Sequence, residues 1–306
     1  MIKKQEQGDT NSRSSFRKTW EVLFPYLLYY LTYNATYLIL AFVCQNVIQR
    51  GGASGQFVTD HAVNVSGLLG GLCMLIGILP LVPMLREELR RRQETTDAAG
   101  EIATAAGTAG RTDGEVSVTD ELTDVVSKKP RRVGSMAAFT VVLACCVSLG
   151  LNALLTMTGF VDSSQTYQEV ADKQYGVAFV LGLVLYGIIS PLAEEVVFRG
   201  VIYNRLRRFY GPLIGIVVSG IFFGAFHGNL VQAVYGACLG MLMAYLYERS
   251  GSFCIPILFH AAANLAVYTT ARMEGVQEYL FTPGSCAVLL AVSAGCVLVE
   301  RRLGKE

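Results

Sequence analysis

"QYGVAFVLGLVLYGIISPLAEEVVFRG", residues 174–200, opens with twenty consecutive uncharged residues and closes with two adjacent carboxylates and an arginine. As a helix rising 1.5 Å per residue, the uncharged part spans a hydrocarbon core of about 30 Å. A charge at mid-bilayer costs about 2.5–3.5 kcal/mol on insertion scales, and such residues usually mark function. Glu194, Glu195 and Arg199 therefore have two readings. They sit at the wet end of a span, or they are kept inside for a purpose.

The rest of the chain has the same character. Of its 306 residues, 52% are hydrophobic and only 16% charged, where a soluble domain carries about a quarter charged residues. Apolar windows predict helices near 23–44, 65–85, 136–158, 176–198, 213–226, 230–247, 253–268 and 279–299. The expected fold is all-α, a polytopic transmembrane helical bundle of about eight spans. The fifth and seventh windows are short for a bilayer and carry histidines, so protein rather than lipid is expected around them.

All but three of the 25 Lys and Arg residues fall on alternate segments; only Arg50, Lys173 and Arg272 lie on the other side. The positive-inside rule then places both termini in the cytoplasm. The first apolar run is too long for a cleaved signal peptide and has no A-x-A site after it. The eight cysteines fall within or beside apolar runs, without CxxC or zinc-ligand spacing, and read as small packing residues.

The expected organisation is a cytoplasmic tail over 1–20, two membrane helices over 21–85, a polar loop over 86–135 and a six-helix core over 136–306. The loop is rich in Ala, Thr, Gly, Asp and Glu and has basic ends. It reads as a disordered cytoplasmic linker. A formal net charge of +1 argues neither for nor against nucleic acid. The expected partners are the lipid bilayer and a membrane-associated peptide or protein, not nucleic acid. Nothing in the sequence specifies an oligomeric state.

Other polar residues intrude in the same half. His227 and His260 both lie in apolar segments, and Asn264, four residues after His260, shares its helix face. Glu195 and Arg199 have the same spacing and can pair, leaving Glu194 about 100° away. If the fourth helix continues to Phe209 and turns at Tyr210-Gly211-Pro212, Glu194 and His227 lie at similar depth. The same counting from Gly251 leaves His260 roughly two turns out of level, with Asn264 closer. Gly220-xxx-Gly224 and Gly236-xxx-Gly240 would help close packing.

Glu194-Glu195-x-x-x-Arg199, Phe223-x-x-x-His227 and His260-x-x-x-Asn264 together resemble, in order and character, the three motifs of the CAAX protease and bacteriocin-processing (Abi) family. These are intramembrane endopeptidases. The resemblance covers roughly 176–270. It implies that Glu194 is the general base for a water that His227 helps to hold. It also implies that His260 and Asn264 stabilise the oxyanion, and that Glu195 and Arg199 brace the site. The resemblance leans toward a metal-free site. Glu and His side chains could still hold a divalent metal such as zinc, although no HExxH is present. The family's bacterial members are linked to peptide maturation or self-immunity, and the expected location is a bacterial cell membrane. Two readings of other classes remain: a noncatalytic immunity or binding protein on the same fold, and a transporter with the carboxylates on its ion path. The lack of a convincing inverted repeat weakens the transporter reading.

Overall fold

The structure, a computed structural model, describes the backbone of residues 2–108 and 133–303, with side chains over 15–98 and 136–299. Its helices in chain order are α1 (Ile2–Arg50), α2 (Gly52–Asp60), α3 (Ala62–Ile78) and α4 (Val82–Thr108), the last two joined through a 3-10 turn at Leu79–Leu81. Then come α5 (Val133–Met157), α6 (Gln165–Gly176), α7 (Phe179–Tyr210), α8 (Pro212–Phe226) and α9 (Leu230–Ser250). The last three are α10 (Cys254–Thr270), α11 (Val276–Leu280) and α12 (Pro283–Leu303). The described residues form no strand.

Among the described residues, five helices are long and apolar enough to cross a membrane: Ser15–Arg50, Ala62–Ala98, Met136–Met157, Phe179–Tyr210 and Leu230–Ser250. Three shorter apolar helices, Pro212–Phe226, Cys254–Thr270 and Pro283–Val299, fill the remaining expected positions. The chain is an all-α polytopic membrane protein. The last helix begins later than its apolar window, because the chain breaks at Phe281–Thr282 before Pro283.

Apolar side chains face both ways, as lipid allows. Leu31, Leu38, Ile39 and Phe42 of α1 point outward, whereas Val197, Phe198, Val201 and Ile202 of α7 are fully buried. Thus α7 is the central helix, and Glu194, Glu195 and Arg199 lie inside protein rather than at a wet end. It stops at Gly211, whose φ of +87° suits a residue without Cβ, and Pro212 starts α8 directly. That turn is the one expected.

Two short π-helical stretches, Leu185–Ile189 and Val196–Tyr203, interrupt α7. The first ends two residues before Pro191, which lacks an N–H and would clash with the preceding turn of a regular helix. Helices α8 and α9 pack glycine against glycine. A Cβ on Gly240 would lie 3.0 Å from Gly220 Cα, and one on Gly224 would lie 2.2 Å from Ala233 O. The GxxxG spacings therefore mark a close backbone contact.

The expectation of a disordered linker from residue 86 is corrected over 86–108, where α4 continues; residues 109–132 lie outside those described. Side-chain pairing explains the helix. Arg90 pairs with Glu87 and Glu94, and Arg91 with Glu87, at i,i+3 and i,i+4 spacing. The helix is also tied to the bundle. Glu88, 3% exposed, accepts from Arg205 at 3.0 Å and Arg208 at 2.6 Å. Arg92 reaches Glu248 at 3.0 Å and stacks over Tyr247. Composition alone does not reveal these distant partners.

Candidate functional site

Helix α7 supplies two carboxylates with different surroundings. Glu195 is fully buried and accepts from Arg199 Nη1 at 2.9 Å, the pairing expected from i,i+4 spacing. Arg199 is itself fully buried, and its Nη2 donates to Gly240 O at 2.8 Å. Burying that guanidinium requires the close glycine contact of α8 with α9, since a Cβ on Gly240 would sit 3.2 Å from Arg199 Nη2. Glu194, also buried, accepts from Ser190 Oγ at 2.5 Å through Oε1, while Oε2 has no hydrogen-bond partner.

His260 joins the two. Its Nδ1 lies 2.9 Å from Glu195 Oε1, and its Nε2 lies 3.8 Å from Glu194 Oε2. The expected depth mismatch of His260 is therefore wrong. Level-counting holds for helices joined by a short turn and lying side by side, but α10 packs chiefly on α5, next on α7 itself, and less on α9, the helix from which the counting runs. The Glu195 carboxylate holds the proton on Nδ1, so Nε2 carries a lone pair when the ring is neutral and a proton only when it is an imidazolium.

His227 caps the C-terminus of α8 and its Nδ1 lies 2.9 Å from Phe223 O. A carbonyl can only accept, so Nδ1 is the protonated nitrogen and Nε2 is left as an acceptor. None of the hydrogen bonds or ion pairs among the described residues joins His227 to Glu194. What links the histidines is Phe223, whose ring edge-packs on His227 at 5.1 Å and on His260 at 5.4 Å. Its face meets Arg199 at 4.6 Å. One aromatic ring thus spaces both imidazoles and covers the buried guanidinium.

Asn264 shares the His260 face, as expected, but its Nδ2 donates to Tyr186 O at 3.2 Å. The π-helical turn creates this partner. Ser190 N bonds to Leu185 O, and the next amide in that i+5 register would be Pro191, which has no N–H. The carbonyl of Tyr186 is freed, and Asn264 satisfies it.

His227, His260 and Asn264 line one cavity of about 100 Å³, together with residues of α5, α6 and α9. Glu194 is not in the cavity wall but lies 3.8 Å from Nε2 of His260, which is. The roof, α6, has no counterpart in the sequence reading, although Ser164 caps it by accepting from Tyr167 N at 3.3 Å. Ser190 and Tyr186 also escaped notice. Ser190 was recoverable, being four residues before Glu194 on the same helix face.

Among the described residues, no three His, Cys, Asp or Glu side chains are grouped to hold a metal ion. Glu195 Oε1 is committed to both Arg199 and His260.

Residues 176–266 match the family model described as "Type II CAAX prenyl endopeptidase Rce1-like". That bears out the resemblance carried by the three motifs. Two curated relatives are similar. A protein named "Putative membrane peptidase YdiL" from Bacillus subtilis (strain 168) is 26% identical over 38% of this chain and 47% of its own. An "Uncharacterized 24.3 kDa protein" from Escherichia coli is 30% identical over 28% of this chain and 42% of its own. The chain thus spans less than half the length of these relatives. No solved structure matches significantly.

Proposed function

We propose that this chain is an intramembrane endopeptidase that hydrolyses a peptide bond of a membrane-associated peptide or protein, with water activated by Glu194. The observation that carries the reading is the unequal treatment of two adjacent buried carboxylates. Each keeps Oε2 without a hydrogen-bond partner, but Glu195 Oε1 is taken by both Arg199 and His260. Glu194 has no Arg or Lys paired to it among the described residues, takes only Ser190 on Oε1 and leaves Oε2 3.8 Å from His260 Nε2. Two carboxylates set apart by their surroundings are suited to different roles. A water bridging Glu194 Oε2 and His260 Nε2 from the side would be placed for deprotonation. The peptidase name of one relative and the family description support the same class.

In this reading Glu194 takes one proton from the water as its oxygen attacks the scissile carbonyl carbon. The oxyanion then accepts from the second N–H of Asn264 and from Nε2 of the imidazolium form of His260. Glu195 stabilises that imidazolium through Nδ1. The proton on Glu194 next passes to the leaving nitrogen as the C–N bond breaks. His227 Nε2 faces the cavity as a further acceptor for water. Maturation of a peptide, or self-immunity toward a bacteriocin, in a bacterial cell membrane is the setting this chemistry suits.

The test compares wild type with Glu194→Gln, both reconstituted, by mass spectrometry of new termini in a membrane-peptide library and by thermal unfolding. Cleavage by wild type and none by an equally stable variant is the expected result. Equal cleavage by both removes Glu194 as the base. A stable, motif-intact protein that cleaves nothing favours the noncatalytic immunity reading.

A further inference from the structure

The cavity in front of the two histidines is closed by α6, and its lining has an unusual chemistry for a site beside three buried charges. Tyr167, Gln174 and Tyr175 of α6, with Asn152 of α5 and Gln232 of α9, supply hydrogen-bonding groups. No Lys, Arg, Asp or Glu lines it. Burial pushes the Tyr167 and Tyr175 phenols up, so both remain protonated donors near neutral pH. At about 100 Å³ the space holds several waters or one side chain of modest size.

The roof is fixed at both ends. Ser164 caps its start, and Asn64 Oδ1 accepts from Ala178 N at 2.7 Å just past its end. Arg272 donates to the carbonyls of Tyr175 and Val177 and lies over the Tyr268 ring at 4.9 Å. A segment held this way is a wall of a built site rather than a surface loop.

The cavity also has a side. Gln232 stands at the start of α9 and Glu248 near its end, about 24 Å apart along the helix. At the Glu248 end lie Arg92, Arg205, Arg207 and Arg208 with their carboxylate partners. That basic end is the cytoplasmic one by the positive-inside rule. The α6 roof is at the opposite end.

We infer that this cavity is a substrate subsite, entered from the non-cytoplasmic face, that accepts an uncharged side chain next to the scissile bond and rejects a charged one. A cationic group placed there would leave water without an opposite charge to meet, and an anionic one would find only the His260 imidazolium that the oxyanion itself requires, whereas a hydroxyl, amide or small apolar group would find partners. The subsite rests on the endopeptidase reading for its purpose, but its occupancy is measurable without turnover.

The experiment uses the full chain in intact bacterial cells, in the Glu194→Gln background so that no peptide is consumed. Gln174→Cys is labelled with a membrane-impermeant maleimide, with Asp97→Cys on α4 as the opposite-face control and the parent's native cysteines as background. Thermal unfolding verifies that each variant is folded. Labelling of Gln174→Cys from outside, and of Asp97→Cys only after permeabilisation, is expected. A pool of short peptides rich in Ser, Asn, Gln and Ala slows that labelling about tenfold or more, and a pool rich in Asp and Lys does not. Labelling of Gln174→Cys only after permeabilisation overturns the entry side. Equal protection by both pools, or by neither, overturns the uncharged subsite. Selective protection in a protein whose wild type cleaves nothing sinks the endopeptidase reading and leaves the subsite standing as a peptide-binding site.

Discussion

Asn264 donates its side-chain amide to the carbonyl of Tyr186, a backbone group left without a helical partner because position 191 is proline. The residue expected to face a reaction intermediate is thereby also part of the frame of α7. Its side chain is tied to that helix through one N–H, and the residue also lines the cavity.

This predicts separable effects. Asn264→Ala should cost about 1–3 kcal/mol of stability by orphaning the Tyr186 carbonyl, besides abolishing cleavage. Adding Pro191→Ala returns an amide at the position Tyr186 can use, so the double variant regains part of that stability and none of the activity. Thermal unfolding of the four proteins, treated as a double-mutant cycle, measures the coupling. Strict additivity would count against the link.

The Glu195–Arg199 pair is buried on all sides, with the side chains of both fully covered. Arg199→Met alone should destabilise by about 3–5 kcal/mol, because it strands a buried carboxylate. Glu195→Gln combined with Arg199→Met should be less harmful to stability than Arg199→Met alone, yet inactive, since His260 then loses the carboxylate at Nδ1. Denaturation midpoints and cleavage rates for the set distinguish stabilising from positioning effects.

Close approach of α8 to α9 makes Gly224 a sensitive position. The added methyl of Gly224→Ala would meet Ala233 O at 2.2 Å, a backbone atom that cannot swing aside. A loss of about 1–3 kcal/mol is expected from the enforced helix separation. Activity should fall as well, because His227 caps the same helix one turn later. Ala at Gly284, which has nothing within 4 Å, is the matched control and should be silent in unfolding.

At the basic end, Glu88→Ala should loosen α4 from the bundle. It leaves Arg205 without its carboxylate and removes one of the two carboxylates near Arg208. A stability loss of about 1–3 kcal/mol is expected. Faster hydrogen exchange should appear in α4 and spare α10. Equal exchange in both helices would mean that Glu88 holds the whole fold rather than this docking.

Chelation addresses the metal alternative directly. Because no three His, Cys, Asp or Glu side chains among the described residues are grouped to hold an ion, phenanthroline and EDTA should leave cleavage within about twofold of the untreated rate, well short of the loss expected on removing a catalytic ion. Loss of activity that zinc restores would reject this expectation while leaving Glu194→Gln inactive.

The sequence by itself determined what depends on neighbours along the chain. Apolar runs of membrane length set the helical class, and i,i+4 spacing paired Glu195 with Arg199. Gly211-Pro212 marked the turn that makes α7 and α8 antiparallel. The three short motifs carried the family resemblance because their residue types and spacings are local facts. Tertiary structure alone decided what depends on which helices lie side by side. His260 reaches both glutamates because α10 packs against α7 as well as α5, a choice that counting from the nearest turn does not report. The amide of Asn264 is captured because the π-helical turn and Pro191 free a carbonyl across the bundle. The α6 roof is a short polar helix with no buried residue, placed by Arg272 and Asn64 far from it in sequence, so neither its apolar content nor its length announced where it would close.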